Sequence, residues 1–167
     1  EEKTAIHQCD ARPNIVFIMS DDHACNAIST YGGRLAGTAP TPNIDRIAAS
    51  GIRLDRCFVT NSIWTPSRAV ILSGQHSHKN GVKTLVDAFP GPDSGTPNVA
   101  SILQRSGYQT ALIGKWHLSN VVTDPNTMGI DYYSGILGGG VSSYTNWMNV
   151  TNGTRNNNTE YVTTQLT

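Results

Sequence analysis

Asp21 and Asp22 stand side by side directly after an apolar run, residues 14–19 (Asn-Ile-Val-Phe-Ile-Met). Two adjacent carboxylates repel unless a cation joins them. A hard divalent ion with oxygen ligands would do so, and Ca²⁺ suits this pair better than a soft metal. A solvated acidic turn is the other reading of the same two residues. Further along, Trp64-Thr65-Pro66-Ser67-Arg68 reads as the opening of a helix. A helix start directs free N–H groups and a partial positive charge outward, and a small oxyanion is stabilised there. Arg68 lies in the first turn, where the helix dipole disfavours a cation, and by itself reads as a surface arginine with its stem on the helix. Lys115 and His117 lie two apart on a strand-like segment and so share a face. Lys115 can neutralise an anionic oxygen as a point charge, and His117 can move a proton near neutral pH. A solvated Lys and His at a strand end is the plainer alternative. His23, His76 and His78 read as loop histidines, although His76 and His78 could border a pocket.

These residues need a frame. The run 14–19 has the composition of a strand buried on both faces, as in a parallel sheet, with Asp21 and Asp22 at its C-terminal, ligand-facing edge. Thr41-Pro42, Thr65-Pro66 and Thr96-Pro97 each place a hydroxyl before a proline, a pattern that predicts a capped helix start. The predicted helices cover 42–50, 66–72 and 97–106. Ile44, Ile47 and Ala48 face inward on the first, and Val99, Ile102 and Leu103 on the third. Gly51, Gly74 and Gly107 are the expected stops. Residues 52–60 and 108–113 read as strands. Residues 75–95 and 138–160 read as polar loops, and 160–167 as a helix beginning. Strands alternating with helices predict an α/β domain: a three-layer sandwich around a mostly parallel sheet.

Bulk properties narrow the functions. Twelve Lys and Arg balance twelve Asp and Glu in 167 residues, which argues against a nucleic-acid or anionic-membrane surface but leaves room for a small anionic ligand. Three cysteines, Cys9, Cys25 and Cys57, are too few for a disulfide framework; Cys57 is expected to be buried, and Cys9 or Cys25 could pair. No run is long and apolar enough to span a bilayer. The chain lacks a signal peptide and an initiating Met, so a processed chain or a fragment is expected. Asn149, Asn152 and Asn157 fit the N-glycosylation pattern.

Residues 61–74 (Asn-Ser-Ile-Trp-Thr-Pro-Ser-Arg-Ala-Val-Ile-Leu-Ser-Gly) resemble the signature of the type I sulfatases, in which Cys or Ser, any residue, Pro, any residue and Arg follow one another. Residues 107–118 (Gly-Tyr-Gln-Thr-Ala-Leu-Ile-Gly-Lys-Trp-His-Leu) resemble the second signature of that family. The likeness runs from about Arg12 to His117. Tyr31-Gly32-Gly33 and residues 56–62 look most like bacterial enzymes similar to N-acetylglucosamine-6-sulfatase. The resemblance implies the alkaline-phosphatase-like sheet sandwich and one Ca²⁺ held by Asp21 and Asp22. It also implies hydrolysis of small-molecule or glycan sulfate esters with Arg68, Lys115 and His117 about the sulfate. A periplasmic or extracellular location is expected. Residues 1–12 are a lead-in, and 13–167 correspond to the N-terminal part of the catalytic domain, incomplete at the C-terminus.

The chain departs from the family where it matters most. In the family the first signature residue is oxidised by a maturation enzyme to formylglycine, whose aldehyde hydrate attacks sulfur; here that position is Trp64. An indole cannot form the hydrate. Trp64 marks either a pseudoenzyme or a codon one base from cysteine. Thr65 as a substitute nucleophile is disfavoured, because its hydroxyl is expected to cap the helix. Trp64 and the missing C-terminal part, which in the family supplies further metal ligands and catalytic residues, together lead to the expectation that this chain is inactive. The alternatives are a non-catalytic binder of sulfated glycans and a phosphoester or phosphonate hydrolase of the same superfamily.

Overall fold

A computed structural model describes residues 12–165. The described residues form two compact units, one ending at Cys57 and the other beginning at Phe58.

In the first unit, α1 (Pro42–Ser50) has the predicted bounds, with Thr41 at the N-cap and Pro42 in the first turn. The Thr41 hydroxyl does not cap. It accepts from the Ser29 amide at 3.0 Å and contacts Asp45 Oδ1 at 3.2 Å. Asp45 in turn accepts from the Ser29 hydroxyl and the Thr30 amide, tying a short 3₁₀ turn, Ser29–Tyr31, to the helix. The expected strand 14–19 does not form, and its side chains are exposed, Val16 at 81% and Ile18 at 80%. The strand expected over 52–60 is also absent, and Cys57 is exposed rather than buried. An apolar run becomes a strand only when a neighbour supplies ladder hydrogen bonds. Neither run forms a ladder with any described residue, so composition alone did not suffice. Likewise Ile44 and Ile47 are exposed on α1, which buries no residue. Cys9 lies outside the described residues.

The second unit holds α2 (Trp64–Ser73), α3 (Ser77–Asn80), α4 (Val99–Arg105), α5 (Asp124–Thr127), α6 (Val162–Gln165) and four strands. These are β1 (Ala111–Lys115), β2 (Tyr132–Ile136), β3 (Trp147–Thr151) and β4 (Thr154–Asn158), in that sheet order. The α/β class holds. The described sheet is mixed rather than mostly parallel: β1 and β2 are parallel, while β2–β3 and β3–β4 are antiparallel. Residues 138–160, expected as loop, contain the β3–β4 hairpin. Its turn is Asn152-Gly153, both at positive φ (44° and 81°), the geometry that matches strand twist and that Asn-Gly favours. Residues 75–95 are likewise not all loop, since α3 lies among them.

Helix starts depart from the threonine scheme. Asn98, not Thr96, caps α4, its side chain accepting from the Ala100 amide at 2.9 Å. Ile63 is the N-cap of α2, which begins two residues earlier than expected. On α4 it is Ala100 that is buried, whereas Val99 and Ile102 are exposed. The core gathers Ala69 and Leu72 of α2 with Trp116, Tyr133, Leu137 and Val150. Leu72, Leu137 and Val150 each contribute roughly 1.5–3 kcal/mol on burial. Asp131 fastens the entry of β1, accepting from the Thr110 amide at 2.9 Å and Gln104 Nε2 at 2.6 Å. The Thr110 amide, then Gln104, hold its carboxyl below the usual range.

Among the described residues, no helix is long and apolar enough to cross a membrane.

Candidate active site

The C-terminal end of β1 and the first turns of α2 meet. Along 115–118 burial alternates: Trp116 and Leu118 are buried, while Lys115 and His117 are half-buried. This is the period of two expected of a strand, and it turns Lys115 and His117 away from the core. The pairing continues beyond β1, with the Trp116 amide donating to the Ile136 carbonyl and the His117 amide to the Leu137 carbonyl, both at 2.9 Å. His117 itself has φ +51°, an uncommon conformation for a non-glycine residue, so it ends the extended segment.

Trp64, at the first position of α2, lies against both groups. Lys115 Nζ is 3.8 Å from the centre of its ring, within cation–π range. The His117 ring is 5.7 Å from the indole, tilted by 52°. Trp64 is 41% exposed, so the contact lies at the surface. Arg68, expected in the first turn, is the fifth residue of α2. Its Nη1 donates to the Lys115 carbonyl at 2.6 Å, fixing helix to strand. Tyr133 packs beneath, its hydroxyl 3.4 Å from the Gly114 carbonyl. Burial pushes its phenol well above the ordinary value, with Arg68 acting weakly the other way. Tyr133 therefore stays neutral at physiological pH.

Thr65 is 2% exposed, and its buried hydroxyl has no hydrogen-bond partner among the described residues. The expectation that it caps the helix is thus wrong. Its burial still removes it as a nucleophile, because no substrate can reach it.

Glycines build the site in a way that spacing along the chain did not reveal. Gly114 has φ +115°, which other residues rarely adopt, and it faces Gly135 across the parallel pair. A Cβ on Gly135 would lie 1.7 Å from the Gly114 carbonyl oxygen. The two glycines together allow β1 and β2 to approach closely just before Lys115. Gly139 rests on His117: a Cβ there would be 2.8 Å from Cε1 and 3.0 Å from Nε2. The run Gly138-Gly139-Gly140 was the only signal of this in the sequence, and it reads as loop composition. Gly139→Ala is expected to displace the imidazole, which can swing, rather than the backbone. The His117 ring-proton resonances should shift while those of His23, His76 and His78 stay put. Stability should fall by less than ~1.5 kcal/mol. An unmoved His117 resonance would refute the contact.

Asp21 and Asp22 lie in an exposed turn of the first unit, with Asp22 at φ +51°. They are not at a strand end, since residues 14–19 form none. Their chemistry suits a hard cation. Yet among the described residues no three His, Cys, Asp or Glu side chains come together as a metal cluster. Two carboxylates fall short of the six to eight oxygens Ca²⁺ takes, so the described residues do not complete a calcium site. His76 and His78 stack at 5.9 Å and are exposed.

Comparison with known proteins bears on this geometry. The sulfatase family model matches residues 13–167. N-acetylglucosamine-6-O-sulfatase of Bacteroides thetaiotaomicron is 48% identical over 128 residues, 77% of this chain and 21% of its own length. Human steryl-sulfatase is 36% identical over 141 residues, 75% of this chain and 24% of its own. A structure described as in complex with its substrate D-glucosamine-2-N,6-O-disulfate superposes with a TM-score of 0.79 at 41% identity. The match covers 93% of this chain and 29% of that one. The chain thus spans about a fifth to a quarter of the length of these relatives. Both signature segments fall within the matched span, and the structure brings their Trp64, Arg68, Lys115 and His117 together; by family model, identity and fold, the chain belongs to the sulfatases.

Proposed function

We propose that residues 13–167 are the N-terminal part of a sulfatase catalytic domain and carry one side of a sulfate-ester site. The observation that supports this most is the contact of Trp64, at the nucleophile position, with Lys115 and His117. A group at position 64 smaller than indole would leave a space bordered by an ammonium, an imidazole and a helix start. That combination suits a tetrahedral dianion. Lys115 neutralises a sulfate oxygen, His117 holds or moves a proton at the reacting oxygens, and Arg68 positions Lys115 through its backbone. Asp21 and Asp22 contribute two carboxylates toward one Ca²⁺, whose remaining ligands the described residues do not supply. The substrate class is a sulfated glycan, as in the relative described with a disulfated glucosamine. Trp64 cannot serve as formylglycine precursor, so this chain holds the site without performing hydrolysis.

A second reading, a binder of sulfated glycans, is favoured by the exposed indole beside two basic groups. Both readings require an anion seat at Lys115. In a Trp64→Ser chain, where the seat is open, Lys115→Gln should weaken inorganic sulfate binding about tenfold by calorimetry. This corresponds to the partly screened attraction of one unit charge. Equal affinity with and without Lys115 would dismiss the seat.

A further inference from the structure

A second cleft, of about 190 Å³, lies beyond the Gly138–Gly140 turn. Its floor is apolar, from Leu137 and Val150, and its rim carries Arg155, Asn120 and Ser142. No motif in the sequence points to it, because residues 138–160 have the composition of loop. Three observations define what it can hold. First, Arg155 is the charged group among its lining residues, and it is exposed on β4. Among the described residues its guanidinium reaches only the Asn120 carbonyl, through Nη2 at a long 3.4 Å, which leaves planar N–H donors for an oxyanion. Second, the cleft adjoins His117. Leu137, which lines it, accepts the His117 amide at 2.9 Å, and Gly139, between lining residues Gly138 and Gly140, touches the imidazole. Third, Leu137 both lines the cleft and pairs with His117, so a group in the cleft lies roughly 5–10 Å from His117, one to two strand spacings. That is about the reach of one sugar ring.

We propose that this cleft binds a second anionic group, sulfate or carboxylate, on the glycan whose sulfate ester is seated at Lys115 and His117, with Arg155 as its charge partner. This rests on the sulfated-glycan reading above. It makes the cleft a specificity subsite: a singly charged sugar sulfate fills only the seat at Lys115, and a glycan with a second anion fills both.

The test uses the 167-residue chain carrying Trp64→Ser, labelled with ¹⁵N, and three probes: glucosamine 6-sulfate, the same sugar linked to a uronate, and the same sugar linked to an N-sulfated glucosamine. The doubly charged probes are expected to bind about tenfold tighter than the first and to shift the amides of Ser142 and Arg155 as well as Lys115. Arg155→Gln should erase the tenfold advantage and leave glucosamine 6-sulfate unchanged. Which doubly charged probe gains more identifies the second group as carboxylate or sulfate. If the probes shift Lys115 and His117 but not the cleft, or if the advantage survives Arg155→Gln, the subsite is overturned while the sulfate seat stands. If no probe shifts Lys115 or His117, the seat is overturned and the subsite with it.

Discussion

Trp64→Cys, carried in the gene that encodes this chain and co-expressed with the formylglycine-generating enzyme, is expected to release sulfate from an aryl sulfate at a rate on the order of 10⁴-fold or more above the parent. The parent has no nucleophile at this position, because an indole offers neither thiol nor hydroxyl. Pro66 and Arg68 already stand at the spacing the maturation signature requires. The substitution has a second effect. Lys115 Nζ now lies 3.8 Å from the indole centre, an attraction of about 0.5–2 kcal/mol that holds the ammonium on the ring. Removing the ring releases Lys115 and opens the face of His117. The proposed nucleophile and anion seat would then be present together. Mass spectrometry of the variant's peptide spanning position 64 should show the aldehyde. Aldehyde without turnover of aryl sulfate would refute the hydrolase reading. Turnover of aryl phosphate in its place would assign the chain to the phosphoester branch. Glycan binding without either activity would leave the binder reading.

Gly135→Ala should cost about 3 kcal/mol or more and remove the cooperative folding of the second unit. The added methyl would sit 1.7 Å from the Gly114 carbonyl oxygen, and that atom belongs to backbone, not to a side chain that can swing aside. Relief would require parting β1 from β2, and their five registered pairs lead directly into the strand end that bears Lys115. Gly139→Ala, by contrast, meets only an imidazole and should be mild. Urea denaturation followed by far-ultraviolet circular dichroism distinguishes them. A Gly135→Ala midpoint within a few tenths of a molar of the parent would contradict the close approach.

Sequence signals succeed where local physics decides. The helix at 42–50 has its proline start and glycine stop in the sequence, and the structure keeps both bounds. The second signature segment carried enough β-branched and apolar residues to mark a strand, and β1 lies within two residues of it at its C-terminal end. Residues 14–19 show the opposite case, since strand composition without a partner yields no strand. The caps were misjudged because a Thr-Pro pair states only what is allowed. Asn98 caps where Thr96 was expected to, and the Thr41 hydroxyl is taken up by Ser29 from outside the helix and by Asp45 within its first turn. The β3–β4 hairpin was legible in Asn152-Gly153 but was obscured by the surrounding Asn and Thr. The meeting of Trp64, Lys115 and His117 lay within reach of the two signatures. The glycines that permit it were not, because close approach between distant residues leaves no mark on spacing.

The bare run at 14–19 also governs how copies of this chain treat one another. Six residues rich in β-propensity, with no charge and no proline, are exposed and form no ladder with any of the described residues. Such a window is the type that stacks between molecules as cross-β. A net charge of zero provides no repulsion to oppose it. Wherever that segment stays uncovered, association between copies is expected to start there and to rise with protein concentration.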